Sequence, residues 1–149
     1  MKPIVATTND IPLAICRLVL GIIFFIHGSQ LALGWFGGYG FSGTMHFMTA
    51  QLGIPAIFAA ISILAQFLGA LGLIVGLLSR IAAFGIACVM VVAIIKVHLA
   101  VGFFMNWYGA QKGEGYEYHL LVLAICLLIM VKGAGALSID GVLSKEKTQ

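Results

Sequence analysis

The stretch PAIFAAISILAQFLGALGLIVGLL, residues 55–78, decides the fold. It carries no charge, and Ser62 and Gln66 are its polar side chains. At about 1.5 Å per residue, a helix of this length crosses the roughly 30 Å hydrocarbon core of a bilayer. Lipid offers backbone N–H and C=O groups no partner, so an unbroken apolar run of this kind reads as a membrane-spanning helix. Ala65, Gly69, Gly72 and Gly76 recur at alternating four- and three-residue steps, which puts them on one face. Small residues let helix backbones approach closely in lipid, so the stripe reads as a packing seam, within the chain or between two copies.

Working outward, three further apolar stretches match it, at residues 11–34, 80–102 and 116–132. The expected fold is therefore all-α: an integral membrane bundle of four transmembrane helices forming a single domain over residues 1–149. Asn9-Asp10-Ile11-Pro12 reads as the start of the first span, because a side-chain oxygen can cap free N–H groups and proline fits an early helical position. Residues 35–55 turn Gly-rich and aromatic, and within them residues 43–52 have the length of a short interfacial helix between the first and second spans. Residues 133–149 read as a polar tail. Only 9% of residues are charged, against about a quarter in soluble domains, and lipid has to take up the apolar excess. Lys2 and the first apolar run resemble a signal peptide, but Asp10 and Arg17 interrupt the run and no small-residue cleavage site follows, so a retained helix is expected.

Charge placement sets the orientation. With the N-terminus inside, Lys2, Arg17, Arg80, Lys132, Lys145 and Lys147 gather on the cytoplasmic side, whereas Lys96 and Lys112 lie toward the outside. Both termini are expected in the cytoplasm. The formal charge of +3 is scattered rather than clustered, so no nucleic-acid partner is expected. Cys16, Cys88 and Cys126 sit singly in apolar runs, which excludes a CxxC dithiol and reads as three buried small hydrophobes. The Gly-rich segment lacks GxxxxGK[ST] and a preceding strand, so it is no phosphate loop.

Ionisable groups inside spans are costly and point to function. They collect toward the outer half: His27, Lys96, His98, Glu117 and His119, with the polar Gln66 near the middle of the second span. Leu13, Arg17, Leu20, Phe24 and His27 share one face of the first span. Lys96 and His98 lie about 200° apart on an α-helix, so His98 is placed inward and Lys96 toward the interface. The same separation holds for Glu117 and His119. The expected site is a polar pocket lined by His27, Gln66, His98 and Glu117, with Arg17, His46 and His119 as accessory residues. Such a pocket suits a quinone head group, with histidines donating hydrogen bonds and moving protons. The competing reading is an interhelical hydrogen-bond network that only holds the bundle together. Arg17 reads as an interfacial anchor paired with Asp10 or lipid phosphate. The histidines are too dispersed for the tight local spacing of a structural metal site, so neither haem nor metal is expected.

Arg17-Leu18, Gly21 and His27-Gly28 are followed by Phe36-Gly37-Gly38, Gly43-Thr44 and Leu52-Gly53-Ile54-Pro55. Then come Gly76-Leu77-Leu78-Ser79-Arg80, Val97-His98, Gly102-Phe103-Phe104, Gly115-Tyr116-Glu117-Tyr118 and Leu137-Ser138-Ile139-Asp140. In this order they resemble the DoxX family of small bacterial membrane proteins over nearly the whole chain. The resemblance implies a four-helix bundle in the bacterial cytoplasmic membrane. It also implies an association with redox chemistry, since the family name derives from a subunit of a thiosulfate:quinone oxidoreductase. Gln66 stands where relatives commonly carry an acid, and an amide hydrogen-bonds but does not titrate. The functional expectation is a redox-associated or quinone-interacting membrane subunit, served by a partner redox protein or a second copy. The alternative is a non-enzymatic scaffold or small-molecule permease. A proton-coupled exporter would need an intramembrane carboxylate, and none of the spans has one at mid-depth.

Overall fold

The computed structural model describes residues 2–146. Lys147 and the side chains of Lys2 and Lys145, used above for orientation, lie outside what is described. Among the described residues every regular element is a helix: α1 (Lys2–Val5), α2 (Ile11–Leu33), α3 (Gly40–His46), α4 (Ala56–Val75), α5 (Ser79–Ala93), α6 (Glu117–Lys132) and α7 (Ile139–Glu146). Two of them run on into wider i→i+5 turns, α3 through Phe47–Gln51 and α5 through Ile94–His98.

The segments Ile11–Leu33, Ala56–Val75 and Ser79–His98 are long and apolar enough to cross a membrane. α6 has 16 residues, about 24 Å of helix, and falls short of that length. The four long helices run alternately up and down: α2 packs on α4, α4 on α5, α5 on α6, and α6 returns to α2. Leu20, Phe24, Leu73, Ile86, Cys126 and Ile129 fill the centre. Outside, Ile57, Phe58, Leu68, Phe84, Leu121 and Val131 stay exposed. So large an apolar exterior is untenable in water and natural in lipid.

Local chemistry fixes the helix ends. Asp10 Oδ1 accepts from Leu13 N at 3.0 Å and caps α2. α4 stops at Gly76, whose φ of +71° closes the helix while Leu77 N donates to Gly72 O at 2.8 Å. A side chain at Gly28 would stand 2.7 Å from Phe67 Cα, so glycine there lets α2 and α4 touch backbone to backbone. The small-residue stripe of α4 is used inside the chain. Gly69 and Gly72 approach Ala82, and Ala65 lies beneath Gly85.

One end of the bundle is a hydrogen-bonded platform, and it corrects two expectations. Arg17 is no interfacial anchor: it is fully buried, and Asp10 pairs instead with Lys132, at 3.8 Å. The Arg17 guanidinium donates to Leu73 O and Ile74 O at the end of α4. It also donates to Ala134 O (2.7 Å), Ala136 O (3.3 Å) and Leu137 O (3.2 Å). Nor is the segment after α6 a solvated tail, since Ala134, Ala136, Ser138 and Asp140 are buried. Its backbone needs internal partners, and Arg17 supplies them. Asp140 reaches back to the α4–α5 turn, where Oδ1 accepts from Leu78 N (2.8 Å) and Oδ2 from Ser79 N (2.9 Å). Leu78 holds a left-handed φ of +50° there and caps α5 with no side-chain oxygen of its own. Arg80 adds bonds to Ala6 O at 3.0 Å and to Met130 O.

Candidate functional site

A groove of about 1240 Å³ runs along α4 and α5 and opens, at the end away from the platform, toward the wide turn after α3 and the beginning of α6. Its walls are apolar: Ile61, Leu64 and Leu68 from α4, and Ile81, Phe84 and Val92 from α5. Its polar groups are His27, Ser62, Gln66, Lys96, His98, Glu114, Tyr118 and His119.

His98 and His119 meet directly, with ring centroids 4.1 Å apart and planes tilted by 45°. His98 lies in the wide turn that ends α5, and that turn brings both Lys96 and His98 to the groove. Both therefore line it, where α-helical spacing had let only His98 face inward; His98 is half-buried and Lys96 exposed. His98 Nδ1 lies 2.7 Å from Glu114 O. A carbonyl only accepts, so Nδ1 carries the proton and in the neutral ring Nε2 presents a lone pair. His119 is 7% exposed, and its Nδ1 has no hydrogen-bond partner. The neighbouring Tyr118 hydroxyl is likewise buried and unpaired. Buried polar atoms left in this way are rare and call for a partner.

Gln66 is buried on the groove wall, and its amide donates to Ser62 O of its own helix at a long 3.5 Å. Most of its bonding capacity therefore stays available. His27 lines the groove from α2 as an exposed side chain, with its ring 6.4 Å from that of Phe24. Glu117 is absent from the lining: its Oε2 accepts from Met105 N at 3.2 Å and holds the preceding loop. The two-residue offset that separates Glu117 from His119 thus puts His119 on the groove and Glu117 on the loop. His46 is exposed at the end of α3 and does not line the groove, and Arg17 belongs to the platform.

Sequence reasoning missed Tyr118, Cys88 and Asp140. Cys126 is buried, but Cys88 is exposed on the groove wall and Cys16 is half-buried. Tyr118 adjoins His119 near the start of α6, where frayed geometry hides which residues face inward. The signal for Asp140 was the start of α5, which has no cap of its own. Among the described residues no three His, Cys, Asp or Glu side chains converge as metal ligands.

A helical bundle with an apolar exterior, three helices fit to cross a membrane and a groove whose polar groups collect at one end defines a membrane protein with a candidate ligand site. The DoxX family profile matches residues 13–99, more than half of the chain, and the chain belongs to the DoxX family. It is 27% identical over 138 residues to "Inner membrane protein YqjF" of Escherichia coli, covering 93% of this chain and 96% of that one. It is 30% identical over 138 residues to "Putative oxidoreductase CatD" of Bacillus subtilis, covering 93% and 91%. No solved structure matches the chain.

Proposed function

We propose that this DoxX protein is a redox-associated subunit of the bacterial cytoplasmic membrane and that its groove receives a quinone head group. In this reading α6 is the fourth span, α3 with its wide turn lies at the outer interface, and both termini are cytoplasmic. The bond from Glu117 to Met105 and the loop after His98 then extend the short α6 to bilayer thickness. Arg17, Arg80 and Lys132 fall on the inner side and Lys96 and Lys112 on the outer, in keeping with the inward bias of basic residues.

One observation carries the functional reading. The contacting pair His98–His119, with the unpaired His119 Nδ1 and Tyr118 hydroxyl, stands at the polar end of an apolar groove. A quinone ring presents two carbonyl oxygens, which accept hydrogen bonds when oxidised and carry protons when reduced. Tyr118 donates to such an oxygen, and Gln66 donates or accepts. His98 Nε2 is set to take a proton, because its Nδ1 is already committed to Glu114 O. The relative named as an oxidoreductase supports a redox setting. In the same proposal the electron donor or acceptor comes from lipid or from a partner protein.

The test is purification from native membranes followed by lipid extraction and mass spectrometry, with thermal unfolding on added quinone. Copurifying quinone and a raised melting temperature, both lost in His119→Leu, are the expected result. No copurifying quinone and no shift in the wild type would overturn the reading. Retention of both in His119→Leu would restrict the histidine pair to a packing role.

A further inference from the structure

The groove is longer than a ring-binding pocket needs to be. Its lining runs from His98 at the end of α5 down to Ile81 and Ala82 in that helix's first turn. At about 1.5 Å per residue, the 17 steps from Ile81 to His98 span about 26 Å, close to the whole hydrocarbon core. Its volume also exceeds the roughly 300–1,000 Å³ of ordinary small-ligand pockets.

The shape follows from the α4–α5 contact. Ala65, Gly69, Ala82 and Gly85 all line the groove, and side-chain atoms added at Gly69 or Gly85 would meet Ala82 or Ala65 at 3.3–3.8 Å. These small residues make a shallow floor. Leu64 and Leu68 on one helix and Ile81 and Phe84 on the other rise beside it, each about half exposed. Apolar along its length and open at its side, the trench ends at the polar cluster where His119, more than nine-tenths buried, has an unpaired Nδ1. Polar groups at one end and an apolar channel leading from them match a molecule with a polar head and a long hydrocarbon chain.

We infer that the α4–α5 trench is a chain-binding site, in which a lipid-borne quinone enters sideways from the bilayer and lays its isoprenoid chain over Ala65, Gly69, Ala82 and Gly85. This rests on the quinone reading of the polar end and extends it: the chain, and not the ring alone, is recognised. A water-soluble quinone would leave the trench to ordinary lipid.

Cys88 is a built-in reporter, being exposed on the trench wall between the polar end and Ile81. The full chain in phospholipid nanodiscs is treated with an apolar alkylating reagent, and modification of Cys88 is followed by peptide mass spectrometry. Two probes are compared: a methyl-substituted benzoquinone without a chain, and the same ring with a long isoprenoid chain. Direct binding of each is measured in parallel. The expected result is that both bind, the chain-bearing probe about tenfold or more tighter, and that only this probe slows Cys88 alkylation markedly. In Cys88→Trp, which fills the trench, the chain-bearing probe should lose its advantage over the bare ring, the ratio of the two affinities being the readout.

Binding of the chain-bearing probe with Cys88 as reactive as before would overturn the chain site and leave the ring site standing. Equal protection by phospholipid alone would overturn it too, making the trench an ordinary lipid contact. Failure of both probes to bind would remove the ring reading and the chain site with it.

Discussion

The two ends of this bundle use polar groups in opposite ways. At the platform, one guanidinium serves five carbonyls, Asp140 takes two N–H groups, and Arg80 ties α5 to Ala6 and Met130. Nearly every strong group there is spent within the protein, with Ser79 Oγ left unpaired. At the groove, an imidazole nitrogen and a phenol are buried without partners, and Gln66 makes one long bond. A membrane protein with few polar residues has divided them by task. The platform holds the chain together, and the groove end keeps bonding capacity open for something else.

The sharpest way to break this comparison is at Arg17. Arg17→Met would leave the carbonyls of Leu73, Ile74, Ala134, Ala136 and Leu137 without their donors, and Asp140 without its cationic neighbour. Removing one member of a buried charged network costs about 3–5 kcal/mol. The expected outcome is loss of folded protein from membranes, read by yield and by size-exclusion profile. Arg17→Lys should recover only part, because an ammonium has three donors and no planar fork.

Asp140 comes next. Asp140→Ala removes the acceptors for Leu78 N and Ser79 N at a turn already held at positive φ, and about 2–3 kcal/mol of stability should go with them. Asp140→Asn keeps one acceptor and should lose roughly half as much. Thermal melts in nanodiscs would rank the three proteins. If Asp140→Ala melts with the wild type, the platform is not the end that fixes the fold.

Gly28 shows what a packing fault costs near the groove. A methyl there would stand 2.7 Å from Phe67 Cα and 2.8 Å from the Gln66 carbonyl, so Gly28→Ala must part α2 from α4. Overpacking of this kind typically costs about 1–3 kcal/mol. The same melts check it, and because Gln66 rides on the displaced backbone, ligand affinity should fall with stability.

These sites also mark how far the sequence could be read. The helices were legible because lipid imposes long apolar runs, and residues 55–78 needed no tertiary information. The gathering of His27, His98 and His119 toward one end was legible from topology alone. What escaped depended on long-range contacts. Arg17 lies where a snorkelling side chain would, and only the return of residues 133–140 beneath it turns it into a buried donor. That return was hidden because Gly133, Ala134, Gly135, Ala136 and Ser138 carry little hydropathy signal, so a buried strap reads like a solvated tail. Glu117 and His119 were separable by angle, but the angle does not say which of them faces in. That depends on the rotation of α6 against α5, which the contacts of Val122, Cys126 and Ile129 with the α5 core decide.

The smallest effect on stability, and the one that most sharpens the contrast, belongs to His119. Its Nδ1 forms no hydrogen bond, so His119→Leu removes a buried polar atom that already lacks a partner and replaces it with an apolar side chain. Losing an unsatisfied group relieves a desolvation cost, while the ring contact with His98 is given up. The two changes oppose each other, and the melting free energy should move by no more than about 1 kcal/mol in either direction. Ligand binding should respond quite differently, because the His119 side chain lines the groove beside His98. A variant that melts like the wild type yet no longer retains quinone would separate the two ends of the molecule by function. A loss of stability as large as that of Asp140→Ala would instead mean that the histidine pair holds the bundle, and that the groove end is a second platform.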